Sequence, residues 1–250
     1  LLITCGRIDG INSNLLPSKI MKVSHISTWV FIPIKSIIPL LFAIRPKHWT
    51  KNLLVYLVFF FTVGEAWSPD DLHSILIPLY KSSLAFVIFS ILSGGIYIIN
   101  DILDIHRDRQ HPTKRLRPIA SGILRIIPAR IAATILIPGG LTASFILEPL
   151  FGVIALAYVT TMIAYSTFLK RIVILDVFAI SGGFILRAIT GAVVMQVPVS
   201  PWLYVCTGLG ALFIALCKRK SELTLAGKNA GLQRATLQLY TISLLEHLIT

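Results

Sequence analysis

Long apolar stretches recur along this chain, and most approach the length that crosses a lipid bilayer as a helix. A transmembrane helix needs about 20 mostly apolar residues. The candidate spans are 52–67, 82–100, 127–147, 150–168, 174–196 and 202–217, with a seventh from about residue 236. Backbone polar groups in lipid must be satisfied within each segment, which favours helices. Charged residues make up only 14% of the chain, against about 25% in soluble domains. We therefore predict an all-α, polytopic transmembrane bundle.

Lys and Arg are concentrated in alternate loops, and this asymmetry predicts the orientation. The loops on one side carry almost all of the basic residues, whereas those on the other side contain only Lys81 together with acids. Basic loops of membrane proteins face the cytoplasm. We expect a multi-pass protein of the inner (plasma) membrane whose polar site faces the cytoplasm. The net charge of +12 then reflects topology, so no nucleic-acid partner is predicted.

The ends of the chain are less regular than its middle. Residues 1–37 are interpreted as an N-terminal arm, and the first 20 of them as candidate non-native sequence, because Met21 is a candidate start. Residues 38–250 are interpreted as one transmembrane domain. The apolar stretch 28–44 is either an interfacial helix or the lead-in to the first span. Because Thr250 lies inside an amphipathic pattern, we expect the C-terminus to be incomplete.

An acidic motif, "NDILDIHRD", follows the second apolar stretch. In a helix, Asp101, Asp104 and Asp108 fall within about 60° of arc, with Asn100 at the edge of that face. Carboxylates this close repel one another unless a counter-ion is present. Oxygen ligands of this kind suit Mg²⁺, which binds through one or two carboxylates and substrate phosphates. The motif therefore predicts a metal-assisted diphosphate site, and a solvated loop is the alternative.

Charged residues within or beside the apolar stretches also need a reason. Asp176 and Arg187 are eleven residues apart, which places them on one helix face about 16 Å from each other. An arginine deep in a span normally faces a wet cavity or the bundle interior and is functional by default. An internal ion pair is the alternative. The segment "KRKSEL" places Lys218, Arg219 and Glu222 at the cytoplasmic end of the sixth stretch.

These motifs together resemble a known family. The pattern N-D-x-x-D-x-x-x-D followed by "HPTKRLRPIASG" resembles the UbiA superfamily of intramembrane prenyltransferases. The segments "RPKHWTKN", "YSTFLKR", "GFILRAITGA" and "KRKSEL" resemble its decaprenyl-phosphate phosphoribosyltransferase branch. The resemblance covers about residues 38 to 248. Aromatic prenyltransferases of the superfamily have a second aspartate-rich motif where this chain reads "KRKSE". The resemblance also implies nine spans, and this chain stops near the seventh or eighth.

The resemblance implies an Mg²⁺-dependent glycosyltransferase that moves 5-phosphoribose from phosphoribosyl diphosphate to a polyprenyl phosphate, in cell-envelope synthesis. It implies that Asp101, Asp104 and Asp108 form the catalytic, metal-binding set. The substrate-binding residues that it implies are Asn100, Arg45, Lys47, Lys51, Lys114, Arg117, Lys170, Arg171, Asp176, Arg187, Lys218, Arg219 and Glu222. Two alternatives stay open. One is an aromatic prenyltransferase of the same fold, and the other is a transporter whose intramembrane polar groups are Arg187 and Asp176.

Overall fold

A computed structural model of the chain describes residues 37–198, 200–226 and 239–250. These residues are almost entirely helical, and one isolated β-bridge, between Val63 and Trp67, is the only extended pairing among them. The α-helices in chain order are α1 Ile37–Ala43, α2 Leu57–Phe61, α3 Leu72–Leu103, α4 Ile105–Gln110, α5 Ile126–Leu147, α6 Pro149–Thr167, α7 Leu175–Met195, α8 Pro201–Ala226 and α9 Ile242–Ile249. Short 3₁₀ helices occupy Pro46–Tyr56, Lys114–Leu116 and Leu169–Arg171.

Five helices, α3 and α5 to α8, are long and apolar enough to cross a membrane. This confirms the predicted all-α membrane bundle, and α5, α6 and α7 match their predicted spans within a residue or two. α3 begins ten residues earlier than predicted, because the side chain of Asp71 caps it by accepting a hydrogen bond from the backbone N–H of His73 at 2.9 Å. Pro138, Gly139 and Gly140 all lie inside α5 and do not interrupt it.

The predicted first span, 52–67, is not a single α-helix. The 3₁₀ helix Pro46–Tyr56 leads directly into α2, which ends at Phe61. The indole N–H of Trp67 donates to the carbonyl oxygen of Phe59 at 2.8 Å, and the two rings stack with centroids 4.6 Å apart. These contacts turn the chain back on itself. The prediction of one continuous α-helix over 52–67 is therefore wrong, although residues 57–61 are α-helical.

The two remaining apolar stretches are described only in part. Of 28–44, residues 37–43 form α1, and residues 28–36 lie outside the described part. Of the stretch from about 236, residues 242–249 form α9, and residues 236–238 lie outside the described part. The predicted N-terminal arm lies outside it too, apart from Ile37, and stays a prediction.

α3 is the central helix and contacts α5, α6, α7 and the 3₁₀ helix Pro46–Tyr56. Its Phe89 ring meets the rings of Phe151 and Tyr158 on α6, with centroids 5.6 and 5.2 Å away. On α7, a Cβ at Gly191 would lie 2.2 Å from the carbonyl oxygen of Val55. Only glycine permits this approach, and it brings the basic segment that begins at Arg45 against the bundle.

Candidate active site

The acidic motif lies where α3 ends and α4 begins. The backbone leaves helical geometry at Asp104 (φ −96°, ψ 8°) and resumes at Ile105. Asp101 and Asp108 are buried, whereas Asp104 is partly exposed. The break separates the three aspartates into two groups with different cationic partners. α4 ends at Gln110, two residues before Pro112, which cannot continue a helix.

Asp101 and Asp108 share one guanidinium group. Arg117 Nη1 donates to Asp108 Oδ2 at 2.6 Å and to Asp101 Oδ1 at 3.1 Å. Arg45 Nη2 donates to the same Asp101 Oδ1. The repulsion expected between these carboxylates is therefore offset by two arginines. Asp101 Oδ2 is buried and has no hydrogen-bond partner among the described residues.

Asp104 is held by a different segment. Lys170 Nζ donates to both of its carboxylate oxygens, at 2.7 and 2.8 Å. Lys170 lies in the 3₁₀ turn between α6 and α7, 66 residues away in the chain. The neighbouring Arg171 is exposed. The ion pair therefore ties the α6–α7 turn to the acidic motif.

The carboxylate oxygens at Asp101 suit Mg²⁺ if substrate phosphates complete the coordination of the ion. The described residues contain no group of three or more His, Cys, Asp or Glu that could hold a metal by itself. Mg²⁺ usually needs only one or two carboxylates when substrate phosphates complete its shell. The unpartnered Oδ2 of Asp101, close to Asp108, is a suitable donor. The set of three aspartates as metal ligands stays a prediction.

Basic groups from several segments surround Lys51. Lys51 is exposed at its surface. The partial loss of water around its ammonium group nevertheless lowers its pKa, and the positive charges of Lys218, Arg187 and Arg45 lower it further. Burial likewise lowers the pKa of His48, as do the charges of Lys51 and Arg45. No ion pair involves Lys51 among the described residues. Converging positive charge of this kind attracts phosphate.

Arg187 is buried behind this basic region. Its Nε donates to Asn52 Oδ1 at 2.8 Å, its Nη1 to the Gly183 carbonyl at 2.6 Å and its Nη2 to the Tyr158 hydroxyl at 2.8 Å. The guanidinium also lies over the Tyr158 ring, 4.7 Å from its centroid. Arg187 makes no ion pair with a described acid, so the internal ion pair expected as its alternative role is not present there.

Asp176 instead pairs with α8. Arg219 Nε donates to Asp176 Oδ2 at 3.0 Å, and Arg219 Nη1 donates to Glu222 Oε2. Arg219 is buried. Lys218 and Lys220 also have acidic partners, Glu222 and Glu246, so acids neutralise most of the positive charge of the segment "KRKSEL". A direct phosphate contact by Arg219 stays a prediction, and the structure gives this residue an internal partner first.

Tyr240 completes this network and had no signal in the sequence. Its hydroxyl donates to Asp176 Oδ1 at 2.7 Å and accepts from the Ile174 N–H at 2.8 Å. Burial raises the pKa of Tyr240 to about 12, with the hydrogen bond to Asp176 as the next cause. The hydroxyl therefore keeps its proton and remains a donor.

The other residues proposed for substrate binding lie around the same end of the bundle. Lys47 is exposed in the 3₁₀ helix Pro46–Tyr56, and Lys114 is partly buried at the start of the 3₁₀ turn after α4. Asn100 is partly exposed, and its backbone carbonyl accepts from the Asp104 N–H at 2.9 Å. Lys218 is exposed, 4.0 Å from Glu222.

Known proteins resemble this chain in sequence. The model of the UbiA prenyltransferase family matches residues 57–222. The decaprenyl-phosphate phosphoribosyltransferase of Mycolicibacterium smegmatis is 37% identical over 210 residues, which are 83% of this chain and 64% of that protein. The protein of the same name from Mycobacterium tuberculosis H37Rv is 34% identical over 211 residues, 83% of this chain and 68% of that protein. The chain thus spans about two thirds of the length of these curated relatives.

A solved structure supports the fold. The structure of a UbiA homolog from Archaeoglobus fulgidus bound to GPP and Mg²⁺ matches with a TM-score of 0.68 at 20% sequence identity. The match covers 84% of this chain and 72% of that one.

Proposed function

This chain belongs to the UbiA prenyltransferase family, and on that premise we propose that it is an Mg²⁺-dependent transferase that moves 5-phosphoribose from phosphoribosyl diphosphate to a polyprenyl phosphate. We further propose that the reaction takes place at the cytoplasmic face of the plasma membrane, because basic loops surround the site. The names of the relatives from Mycolicibacterium and Mycobacterium support the choice of substrates.

One observation carries the proposal. A buried carboxylate with an unpartnered oxygen, Asp101, lies at the same end of the bundle as a group of cations around Lys51. Arg45 belongs to both, since it pairs with Asp101 and its charge acts on Lys51. Two phosphate-bearing substrates need such a division, because a metal-bound diphosphate requires carboxylates and a free phosphate monoester requires basic groups.

In the proposed reaction, the bond between ribose C1 and the diphosphate oxygen breaks, and a bond forms between C1 and an oxygen of the lipid phosphate. Diphosphate leaves with the bonding electron pair. Bound Mg²⁺ would supply charge neutralisation at the diphosphate, with Asp101 and Asp108 as its holders. Arg117 and Lys114 would bind the leaving oxygens, and the electrostatic stabilisation that they provide is usually the largest catalytic contribution.

The acceptor needs no general base. A lipid phosphate is already ionised at pH 7, so it can attack C1 without losing a proton to the protein. Lys51 and Lys218 would hold its oxygens, with Arg187 fixing the position of Asn52, the residue that follows Lys51. The polyprenyl tail would lie against the apolar outer surface of the helices.

The direct test is an assay of membranes that contain the full-length protein, supplied with labelled phosphoribosyl diphosphate and polyprenyl phosphate. We expect label in the lipid fraction, dependent on Mg²⁺. Lys51→Met should raise the KM for the lipid phosphate about tenfold, since a charged hydrogen bond contributes about 1.5 kcal/mol or more. Lys81→Met, which lies inside α3 toward the side predicted to face away from the cytoplasm, is the matched control.

Two other outcomes of this assay would contradict the proposed function. Prenylation of 4-hydroxybenzoate from geranyl diphosphate, without any phosphoribosyl transfer in the same membranes, would replace this proposal by the aromatic prenyltransferase alternative. Substrate uptake without either transfer would favour the transporter.

A further inference from the structure

The turn between α6 and α7 ends in an unusual backbone conformation. Ile174 has φ 71° and ψ −47°, and the Leu175 N–H donates to the Val173 carbonyl at 2.8 Å across it. This is a γ-turn with a positive φ, which is rare and strained. A β-branched residue rarely adopts positive φ, and such strain persists only where surrounding contacts impose it. A hydrogen bond links this turn to the C-terminal segment.

The hydroxyl of Tyr240 captures this turn. It accepts the Ile174 N–H at 2.8 Å, and it donates to Asp176 Oδ1 at 2.7 Å. The buried Tyr240 ring packs in a cluster with Val177 and Leu245, so the hydroxyl has a fixed position. One oxygen atom thus bridges the strained turn and the first turn of α7.

The other end of the same turn reaches the acidic motif. Lys170, four residues before Ile174, donates to both carboxylate oxygens of Asp104. The conformation of the short segment 169–174 therefore sets where the Lys170 ammonium group lies relative to Asp104. Because this segment is only six residues long, we expect that releasing one end would displace the other.

We propose that Tyr240 is a positioning residue for the transfer reaction: its hydroxyl holds the turn 169–174 so that Lys170 meets Asp104 at the site. The inference rests on the proposed function for its catalytic readout. Tyr240 touches no reacting group; it acts through the turn and through Lys170.

The central test is Tyr240→Phe in the full-length protein, which keeps the packed ring and removes both hydrogen bonds. We expect kcat/KM for phosphoribosyl diphosphate to fall about tenfold, mainly through a higher KM. Lys170→Met should lower this kcat/KM as well. The double variant Tyr240→Phe/Lys170→Met should have the same kcat/KM as Lys170→Met alone, because both substitutions act on one contact. Tyr80 is exposed near the opposite end of α3, so Tyr80→Phe should leave kcat/KM unchanged.

Rescue distinguishes positioning from a general loss of stability. Glycine adopts positive φ without steric cost, so Ile174→Gly should restore most of the activity of Tyr240→Phe and alter the wild type little. Wild-type kcat/KM in Tyr240→Phe would overturn the proposal. A kcat/KM of the double variant about tenfold below that of Lys170→Met alone would also overturn the proposal, because the two residues would then act independently.

A second readout needs no substrate. Val173 is partly buried against the Tyr240 cluster, so Val173→Cys reports whether the turn opens. In a background with the native cysteines replaced by alanine, we expect Tyr240→Phe to speed maleimide labelling of this cysteine at least threefold. Unchanged labelling would reject the positioning role. Absence of phosphoribosyl transfer in the wild type would reject the proposed function instead, and the labelling comparison would still decide the role of Tyr240.

Discussion

Replacing Asp101 by asparagine removes one negative charge and preserves the size of the side chain. Asp101 is 1% exposed, and its Oδ1 accepts from both Arg45 and Arg117. In the variant, Arg117 keeps Asp108 at 2.6 Å, whereas Arg45 loses its only acidic partner among the described residues. Breaking a fully buried pair costs about 3–5 kcal/mol. The two arginine side chains remain 19% and 25% exposed, so we expect the free energy of unfolding to fall by only about 1–2 kcal/mol.

The effect on metal binding should be larger than the effect on stability. Under the proposed function, the unpartnered Oδ2 of Asp101 is the oxygen that would bind Mg²⁺. Losing even an outer partner of a metal ligand costs 10–100-fold in affinity, so losing the ligand itself should cost about 100-fold or more. Asp104→Asn should shift the Mg²⁺ requirement less, because Lys170 already occupies both of its oxygens.

The assay is phosphoribosyl transfer in membranes at a series of Mg²⁺ concentrations, with thermal unfolding of the detergent-solubilised protein measured in parallel. Asp70→Asn, in a loop on the side predicted to lie outside the cytoplasm, is the matched control. The reasoning is refuted if Asp101→Asn needs no more Mg²⁺ than the wild type, or if Asp104→Asn needs more Mg²⁺ than Asp101→Asn.

Three further predictions concern packing and charge. Gly191→Ala should lower the free energy of unfolding by about 1–3 kcal/mol, because its Cβ would lie 2.2 Å from the Val55 carbonyl oxygen, whereas Gly182→Ala meets nothing within 4 Å. Equal unfolding temperatures of the two variants would contradict this. Arg187→Lys should cost about 2 kcal/mol in the same measurement, because one ammonium group cannot reproduce the geometry of three guanidinium contacts; wild-type stability would argue against it. The pKa of His48 is lowered in the folded protein, so folding opposes the protonation of this side chain. The stability that neutral His48 provides is therefore complete above pH 6.5, the ordinary pKa of histidine, and is lost as the pH falls through the lower pKa of the folded state. His48→Gln should flatten the decline in unfolding temperature between pH 7 and 5, and an unchanged slope would disprove this.

The helices that hydropathy predicts well are those whose ends are marked by local chemistry. α6 begins at Pro149, a favourable first helical residue, and α8 begins at Pro201 for the same reason. The stretch 52–67 was mispredicted because a 3₁₀ helix and an α-helix have similar composition. The turn after α2 depends on Trp67 reaching back to Phe59, a contact that no periodicity reveals.

The charged residues of the site could be predicted, but their pairing could not. Asp101 meets Arg45 across 56 residues, and Asp104 meets Lys170 across 66. Such pairs depend on which helices are neighbours. Arg219 looks in the sequence like a phosphate ligand, yet it pairs with Asp176 because α7 and α8 pack together.

The 3₁₀ helix Pro46–Tyr56 alters how far a short segment reaches. A 3₁₀ helix rises about 2.0 Å per residue against 1.5 Å in an α-helix. Its 11 residues and the five of α2 together extend about 30 Å, close to the thickness of the hydrocarbon core. An α-helix of the same 16 residues would fall about 6 Å short of that thickness. Stretching the backbone thus lets these 16 residues reach about as far as 20 residues of α-helix, from the basic group near Arg45 toward the turn at Trp67.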